Sequence, residues 1–254
     1  MAHVSYSEIK TWHECPYKHK LQYIDRIAGF KGSLHTAFGT AIHSVCEHSL
    51  LDESLDRSAH FLDEFAKEVL SLEEKEVEIE ESLYHQMLQQ YEPIVNSFRD
   101  ELGNCFEDYE VVATEERLYE DIEDENLKFK GFIDLVIKTP DGKYHILDWK
   151  TCSWGWDAKK KADKIINYQL TLYKHFWAKK HGIPPELVET HFGLLKRTAK
   201  KNNTEIFRVT SGKIKMKNAL TFLDKAVRNI KRKLTIKNRL SCKGCAFYQT
   251  EHCR

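Results

Sequence analysis

The chain has 254 residues, 41% hydrophobic and 31% charged. That composition excludes a wholly disordered polymer and leaves enough chain to bury a core. No apolar run approaches the roughly 20 residues that span a bilayer, and the start of the sequence shows no basic segment followed by an apolar one, so neither a secretory leader nor a membrane partner is expected. The formal net charge of zero conceals an asymmetry: residues 1–150 hold 15 Lys and Arg against 32 Asp and Glu, and residues 151–254 hold 24 against 7. Either the two halves fold against each other and cancel, or a basic face is kept for a polyanion.

In chain order, Ser5-Tyr6-Ser7-Glu8 predicts a capped helix start, with the helix running to about Ile27. Gly29 to Gly39 reads as a loop, and a second helix is expected from about Phe38. Residues 55–102 read as helical, and the acidic run from Glu73 to Glu81 within them is assigned no function. The pattern changes at Glu110. Strands are predicted around 111–119, at Phe129–Lys138 and at Tyr144–Thr151, the last two joined by the turn Thr139-Pro140-Asp141-Gly142. A helix over about 160–180 and strands near 188–196 and 204–209 follow. Ser211 is the expected cap of a final helix, in which Met216, Leu220, Leu223, Val227, Ile230 and Leu234 form an apolar stripe. The order predicts one α/β domain.

Seven cysteines are present, an odd number that argues against a disulfide framework. Cys46, Cys105 and Cys152 are scattered and read as small buried hydrophobes. Cys242-Lys-Gly-Cys245 places two thiols on one tight turn, and Cys253 follows, a spacing suited to a metal or a cluster. Three thiolates leave a tetrahedral site one ligand short. Cys15 is one candidate for the fourth, and His252, completing a zinc site, is the other.

The hairpin carries the clearest chemistry. Residues two apart in a strand share a face, so Asp148 and Lys150 project together, and Asp134 lies on the partner strand among Ile133, Leu135 and Val136. An acid in such surroundings is costly to bury unless something pairs with it. A hard divalent ion, magnesium or manganese, held by Asp134 and Asp148 would do so. The alternative is a structural Asp–Lys pair.

Asp134 followed by Asp148-x-Lys150 after a hairpin resembles the PD-(D/E)xK nuclease superfamily. Gly39-Thr-Ala-Ile-His43 and Gln169-Leu-Thr-Leu-Tyr173 resemble the G-x-x-h-H and Q-x-x-x-Y motifs of its RecB-type branch. The stretch from Ser5 through Cys15-Pro16, with the C-terminal cysteines, is similar to the iron–sulfur members of that branch, among them the AddB nuclease domain and small CRISPR-associated exonucleases. The resemblance implies a restriction-endonuclease-like core, a central mixed sheet flanked by helices, with N- and C-terminal segments joined by a 4Fe-4S cluster on Cys15, Cys242, Cys245 and Cys253 (zinc being the alternative). It divides a single domain, 1–254, into a helical part at 1–108, a catalytic core at 109–210 and a C-terminal helix and cluster segment at 211–254. It further implies that His43, Asp134, Asp148 and the Trp149 carbonyl hold Mg2+ or Mn2+, that Lys150 is the catalytic lysine, and that Gln169 and Tyr173 touch DNA or support the lysine. An acid preceding the Asp134 strand is also implied; Glu115 and Glu116 both fit, and Glu116 is favoured. Ile133 stands where the eponymous proline would be.

The implied activity is metal-dependent DNA hydrolysis by an exonuclease on single strands or ends, in recombination, repair or phage DNA processing, in a bacterial or host cytoplasm. Lys196, Arg197, Trp154 and Trp156 are the candidate DNA contacts, with further basic residues over 213–237. No G-x-x-x-x-G-K-S/T motif is present, which points to a helicase or recombinase partner or to a substrate already unpaired. The competing readings are a non-catalytic iron–sulfur DNA-binding module and a nuclease that trims ends in CRISPR adaptation.

Overall fold

A computed structural model describes residues 3–123 and 126–254. In chain order the elements are β1 (His3–Ser5), α1 (Tyr6–Glu14), α2 (Pro16–His19), a π-helical turn (Lys20–Ile24), α3 (Leu34–Leu51), α4 (Arg57–Glu74), α5 (Glu81–Gln90), α6 (Glu92–Phe106), β2 (Glu110–Ile122), β3 (Leu127–Lys138), β4 (Tyr144–Cys152), α7 (Ala158–Lys161), α8 (Lys164–His181), β5 (Val188–Lys196), β6 (Thr204–Val209) and α9 (Lys213–Lys231). Short 3-10 turns at Pro185–Leu187 and Arg239–Ser241 complete the list. No helix among the described residues is long and apolar enough to cross a membrane. Contacts divide the chain into two compact units, one of Met1–Lys31, Leu118–Gly131 and Gly212–Arg254, the other of Gly32–Arg117 and Phe132–Ser211.

In the first unit, β1 runs parallel to the start of β3, pairing His3 with Lys128 and Ser5 with Lys130. The Ser5 hydroxyl accepts from the Glu8 N–H at 3.2 Å and caps α1 as expected. The helix does not continue to Ile27, however. Cys15 is extended (φ −162°, ψ 111°) because the residue before a proline is pushed out of the helical region, and Pro16 then opens a new turn. Helix α9 packs on α1, with Phe222 edge-on to His13 at 5.3 Å. It buries Ala219, Leu223, Ala226 and Val227, a narrower stripe than predicted, because α9 ends at Lys231 and leaves Leu234 exposed. Gly212, not Ser211, is its N-cap residue; Ser211 belongs to the other unit, where its hydroxyl is bonded to Thr190.

The second unit is an α/β core. Strand β3 pairs antiparallel with β4 through Lys138–Tyr144 to Leu135–Leu147, β4 pairs parallel with β5, and β5 antiparallel with β6. The α7–α8 segment supplies the crossover that a parallel pair requires. The predicted turn closes with the Gly142 N–H donating to the Thr139 carbonyl at 2.9 Å. Leu135, Ile137, Leu147 and Trp149 project to one face, into a cluster with Phe38, Ile42, Phe61, Phe65 and Phe98 from the helices before β2. Helix α8 packs on β4 and β5 and buries Leu170, Leu172, Phe176 and Trp177.

Helix α3 begins a turn earlier than predicted, since Ser33 and Thr36 form a reciprocal capping box: Ser33 Oγ accepts from the Thr36 N–H and Thr36 Oγ1 from the Ser33 N–H. Gly39 therefore lies inside the helix. A Cβ there would meet Thr151 Oγ1 of β4 at 3.1 Å, so its missing side chain is what lets helix and strand approach.

Gly193 is the tightest point. It faces Trp149 across the parallel β4–β5 pair, and an added methyl group would fall 2.1 Å from the indole. Gly193→Ala is expected to lower unfolding stability by about 2–3 kcal/mol in urea titrations. Combining it with Trp149→Leu should cost less than the sum of the two single losses; strictly additive losses would place the clash elsewhere.

Candidate metal-dependent nuclease site

The β3–β4 register pairs Leu135 with Leu147. One residue further, the Asp134 carboxylate takes the place of a ladder partner, and Oδ2 accepts the Trp149 backbone N–H at 2.6 Å. In a strand the N–H and C=O of one residue point to the same edge, so the Trp149 carbonyl is directed to the Asp134 side. Asp134 is opposite in face to Leu135, and Asp148 opposite to Leu147 and Trp149, so both acids leave the large cluster and share the other face.

Lys150 Nζ lies 2.6 Å from Asp148 Oδ2. The approach is off the axis of a hydrogen bond, and Oδ2 is a buried acceptor with no properly directed donor. Asp148 Oδ1 accepts from Gln169 Nε2 at 2.8 Å, and the same amide donates to Tyr173 Oη at 3.2 Å. Gln169 and Tyr173 are one turn apart on α8, so the helix presents both to Asp148. From the other side α3 supplies His43, with Nδ1 3.8 Å from Asp134 Oδ2, and Glu47 one turn on. His43, Glu47 and Asp134 bring ligating atoms within 4.8 Å of one another.

The electrostatics follow from burial. It pushes the Asp134 carboxyl well up, with Asp148 adding to the effect, and raises Asp148 as well, against the pull of Lys150. Burial also works to lower Lys150, but Asp148 and Asp134 outweigh it and the ammonium is held above its ordinary range. His43 is lowered to about 4, by burial and then by Lys150, so the imidazole is neutral and its lone pair available. Glu47 is raised to about 9, by burial first and then by Glu115, to whose carboxyl it is hydrogen-bonded. Buried acids that cannot ionise together, an acceptor lacking a directed donor and a neutral imidazole are a donor set that a hard divalent cation would satisfy.

The two acids before β3 separate. Glu115 adopts a left-handed backbone (φ 48°) within β2, a conformation that costs a non-glycine residue energy and re-aims its neighbours. It faces Glu47 and Asp134. Glu116, the favoured residue in the sequence, is instead bonded to Trp177 Nε1 at 2.6 Å, Lys180 Nζ at 2.6 Å and His181 Nε2 at 2.6 Å. It anchors the end of α8 and is not gathered with the other acids. The sequence does not single out Glu47, one turn after His43, because it does not show that this helix face is buried.

The expected DNA contacts are largely occupied elsewhere. Lys196 is buried against Glu205 at 3.3 Å. Arg197 donates to Gln90 Oε1 at 2.5 Å and lies over the Phe38 ring. Trp156 packs edge-on against Phe192 at 5.2 Å, with Lys160 over its ring. Trp154, 79% exposed, is the one of the four offered to solvent.

In the first unit, Cys15, Cys242, Cys245 and Cys253 line one cavity of about 130 Å3, and all four are free thiols. Cys15 Sγ accepts the Asn238 N–H at 3.3 Å. No three of their sulfurs gather within 4.8 Å of one another, as a zinc ion with Zn–S bonds of about 2.3 Å would require, so no zinc site is preformed. His252 is not part of the lining and pairs with Glu251 at 3.5 Å. Of the three scattered cysteines, Cys46 is buried as expected, whereas Cys105 is exposed.

The Glu47 shift sets a pH dependence. The folded chain keeps this proton to about pH 9, while the unfolded chain releases it near 4.5. The stabilisation is complete below the lower value and lost as pH rises through the higher one. In metal-free protein, Glu47→Gln should therefore flatten the fall of the urea midpoint across that window, and superimposable profiles would exclude Glu47 as the titrating group.

Comparison with known proteins agrees with this geometry. The crystal structure of a protein from Eubacterium rectale, named as a presumptive exonuclease, aligns with 98% of this chain and 88% of its own at 15% identity, with a TM-score of 0.62. A second solved structure, SSO0001, aligns over 95% of this chain and 93% of its own at 12% identity, but its TM-score of 0.38 supports no argument. No curated protein matches the sequence. The family model described as the PD-(D/E)XK nuclease superfamily matches residues 3–250. The match runs through both units, and the chain belongs to the PD-(D/E)XK nuclease superfamily.

Proposed function

We propose that this protein is a metal-dependent deoxyribonuclease of the RecB-type branch that acts as an exonuclease on single-stranded DNA or DNA ends, with the whole chain serving as one nuclease domain. The observation that carries the reading is the convergence of His43, Glu47 and Asp134 beside the Asp148–Lys150 pair. His43, Asp134, Asp148 and the Trp149 carbonyl would hold Mg2+ or Mn2+, with Glu47 and Glu115 completing the acidic wall. Such an ion supplies Lewis-acid polarisation of the phosphate and a lowered pKa for its water. Lys150, kept charged by the two acids, stabilises the negative charge that grows on the phosphate. Gln169 holds Asp148 in place through its Nε2 donor, and Tyr173 holds Gln169. In this reading Glu116 is a positioning residue for α8.

DNA contacts are reassigned in the same reading. Trp154 is the candidate for stacking on an unpaired base. The exposed Lys213, Lys217, Lys225 and Lys231 of α9 are the candidates for phosphates, in place of Lys196 and Arg197. A helicase or recombinase partner would supply unwound substrate for recombination, repair or phage DNA processing.

We extend the reading to an iron–sulfur cluster on the four cysteines. Its support is their shared cavity, the Asn238 amide donated to Cys15, and the basic lining from Lys18, Lys237 and Arg239, which suits an anionic thiolate cluster. The cluster would be a staple between distant parts of the sequence and would do no redox work.

Asp148→Asn should reduce Mg2+- or Mn2+-dependent cleavage of end-labelled single-stranded DNA by on the order of a hundredfold or more while leaving DNA binding within about threefold. Full cleavage by that variant, or cleavage of closed circular DNA as fast as linear, would overturn the nuclease or the exonuclease reading respectively. Anaerobically prepared protein should be brown, and Cys245→Ala should lose the visible absorbance and melt at lower temperature. Colourless protein holding stoichiometric zinc would exclude the cluster.

A further inference from the structure

A second group of ligating side chains lies in the α/β unit on the opposite face of the sheet from the acids. His145, the second residue of β4, stands across from Glu189 of β5, with His191 two residues further along β5 on the same face. Their ligating atoms come within 4.8 Å of one another. His145 Nδ1 and His191 Nε2 are 3.1 Å apart. Two nitrogens each about 2.05 Å from one metal ion subtend about 100° at that separation, close to tetrahedral.

The surroundings orient the two rings for ligation. The Thr139 hydroxyl has one proton, and its shortest contact, 2.5 Å, is to Asp141 Oδ1. Its oxygen is then the acceptor for His145 Nε2–H at 3.0 Å. That bond fixes the tautomer in which the Nδ1 lone pair points at His191, and the Asp141–Thr139–His145 chain is the kind of outer support that metal-bound histidines use. Phe106 packs on both rings, at 4.8 Å from His145 and 5.1 Å from His191. Burial holds both imidazoles neutral, His191 down to about 3. Arg208, at 3.0 Å, and Lys143 hold the Glu189 carboxylate beside them. The three residues open onto a cavity of about 520 Å3, which leaves room for a further ligand.

We propose that His145, His191 and Glu189 form a second metal site, separate from the acidic site and selective for a borderline divalent ion such as zinc over magnesium. Two imidazoles and one carboxylate favour that class of ion, and three protein ligands leave a fourth position for water or another donor. Bound there, the ion would tie the start of β4 to β5 and to the 139–141 turn.

The test is zinc titration of the chelator-stripped full chain by calorimetry and native mass spectrometry, a readout independent of DNA cleavage. Wild-type protein should take up one zinc equivalent more than His191→Gln. It should bind that equivalent at least tenfold more tightly than Glu189→Gln, and its melting temperature should rise with zinc by more than either variant's. Glu189 is only partly buried, so Glu189→Gln remains informative if His191→Gln fails to fold. Equal stoichiometry and affinity in wild type and Glu189→Gln would overturn the proposal and leave the imidazole pair as a hydrogen bond alone.

Discussion

Everything at the candidate site follows from two carboxylates placed where water is scarce. Asp134 and Asp148 stand on one face at the end of the β3–β4 ladder, both buried. Two such charges repel and are poorly solvated, and Lys150 beside them cannot neutralise both. The rest of the site compensates for this. The Trp149 amide is given up to Asp134, the Gln169 amide to Asp148, and the neighbouring acid Glu47 shares a hydrogen bond with Glu115. A core built this way is costly unless a cation arrives, which makes the site a receptor for positive charge even before its chemistry is considered.

The hairpin, the order of strands and the helical crossover were legible in the sequence because each rests on local signals: alternation of apolar residues, a Pro-Asp-Gly turn, and an amphipathic period. What was not legible depends on tertiary packing. Ser33 and Thr36 looked like loop residues until their reciprocal bonds started α3 early. Cys15 broke a helix that periodicity alone would have continued. Glu115 and Glu116 are adjacent and chemically alike, and only the left-handed backbone at Glu115 and the Trp177, Lys180 and His181 cluster around Glu116 separate them. Lys196 and Arg197 show the same limit, since a basic dipeptide advertises a phosphate contact whether or not Glu205 and Gln90 have claimed it.

The charge asymmetry of the sequence is redistributed by the fold. The acid-rich first 150 residues contribute to both units, as do the basic later ones, yet an imbalance persists: the first unit holds 19 Lys and Arg against 10 Asp and Glu, and the second 20 against 29. Lys161 and Lys196 are matched to Glu205, and Lys180 to Glu116. Of the basic residues of α9, Lys215 is half-buried and the others are exposed, with Arg228 paired to Asp224 on the same helix. Some of the positive charge of the C-terminal part is matched locally, and the rest reaches solvent on several segments, Lys159 and Lys160, Lys200 and Lys201, and Arg232 and Lys233 as well as α9.

The Trp149 N–H to Asp134 bond carries a consequence for comparing relatives. Asp134 completes the backbone ladder as well as facing the site, so losing it would leave a buried amide unpaired as well as removing a proposed ligand. A descendant that had abandoned catalysis would still be under pressure to keep an acceptor at this position. Retention of Asp134 in a related chain is therefore weak testimony to activity, and under the proposed function the state of the Asp148–Lys150 pair is the better marker.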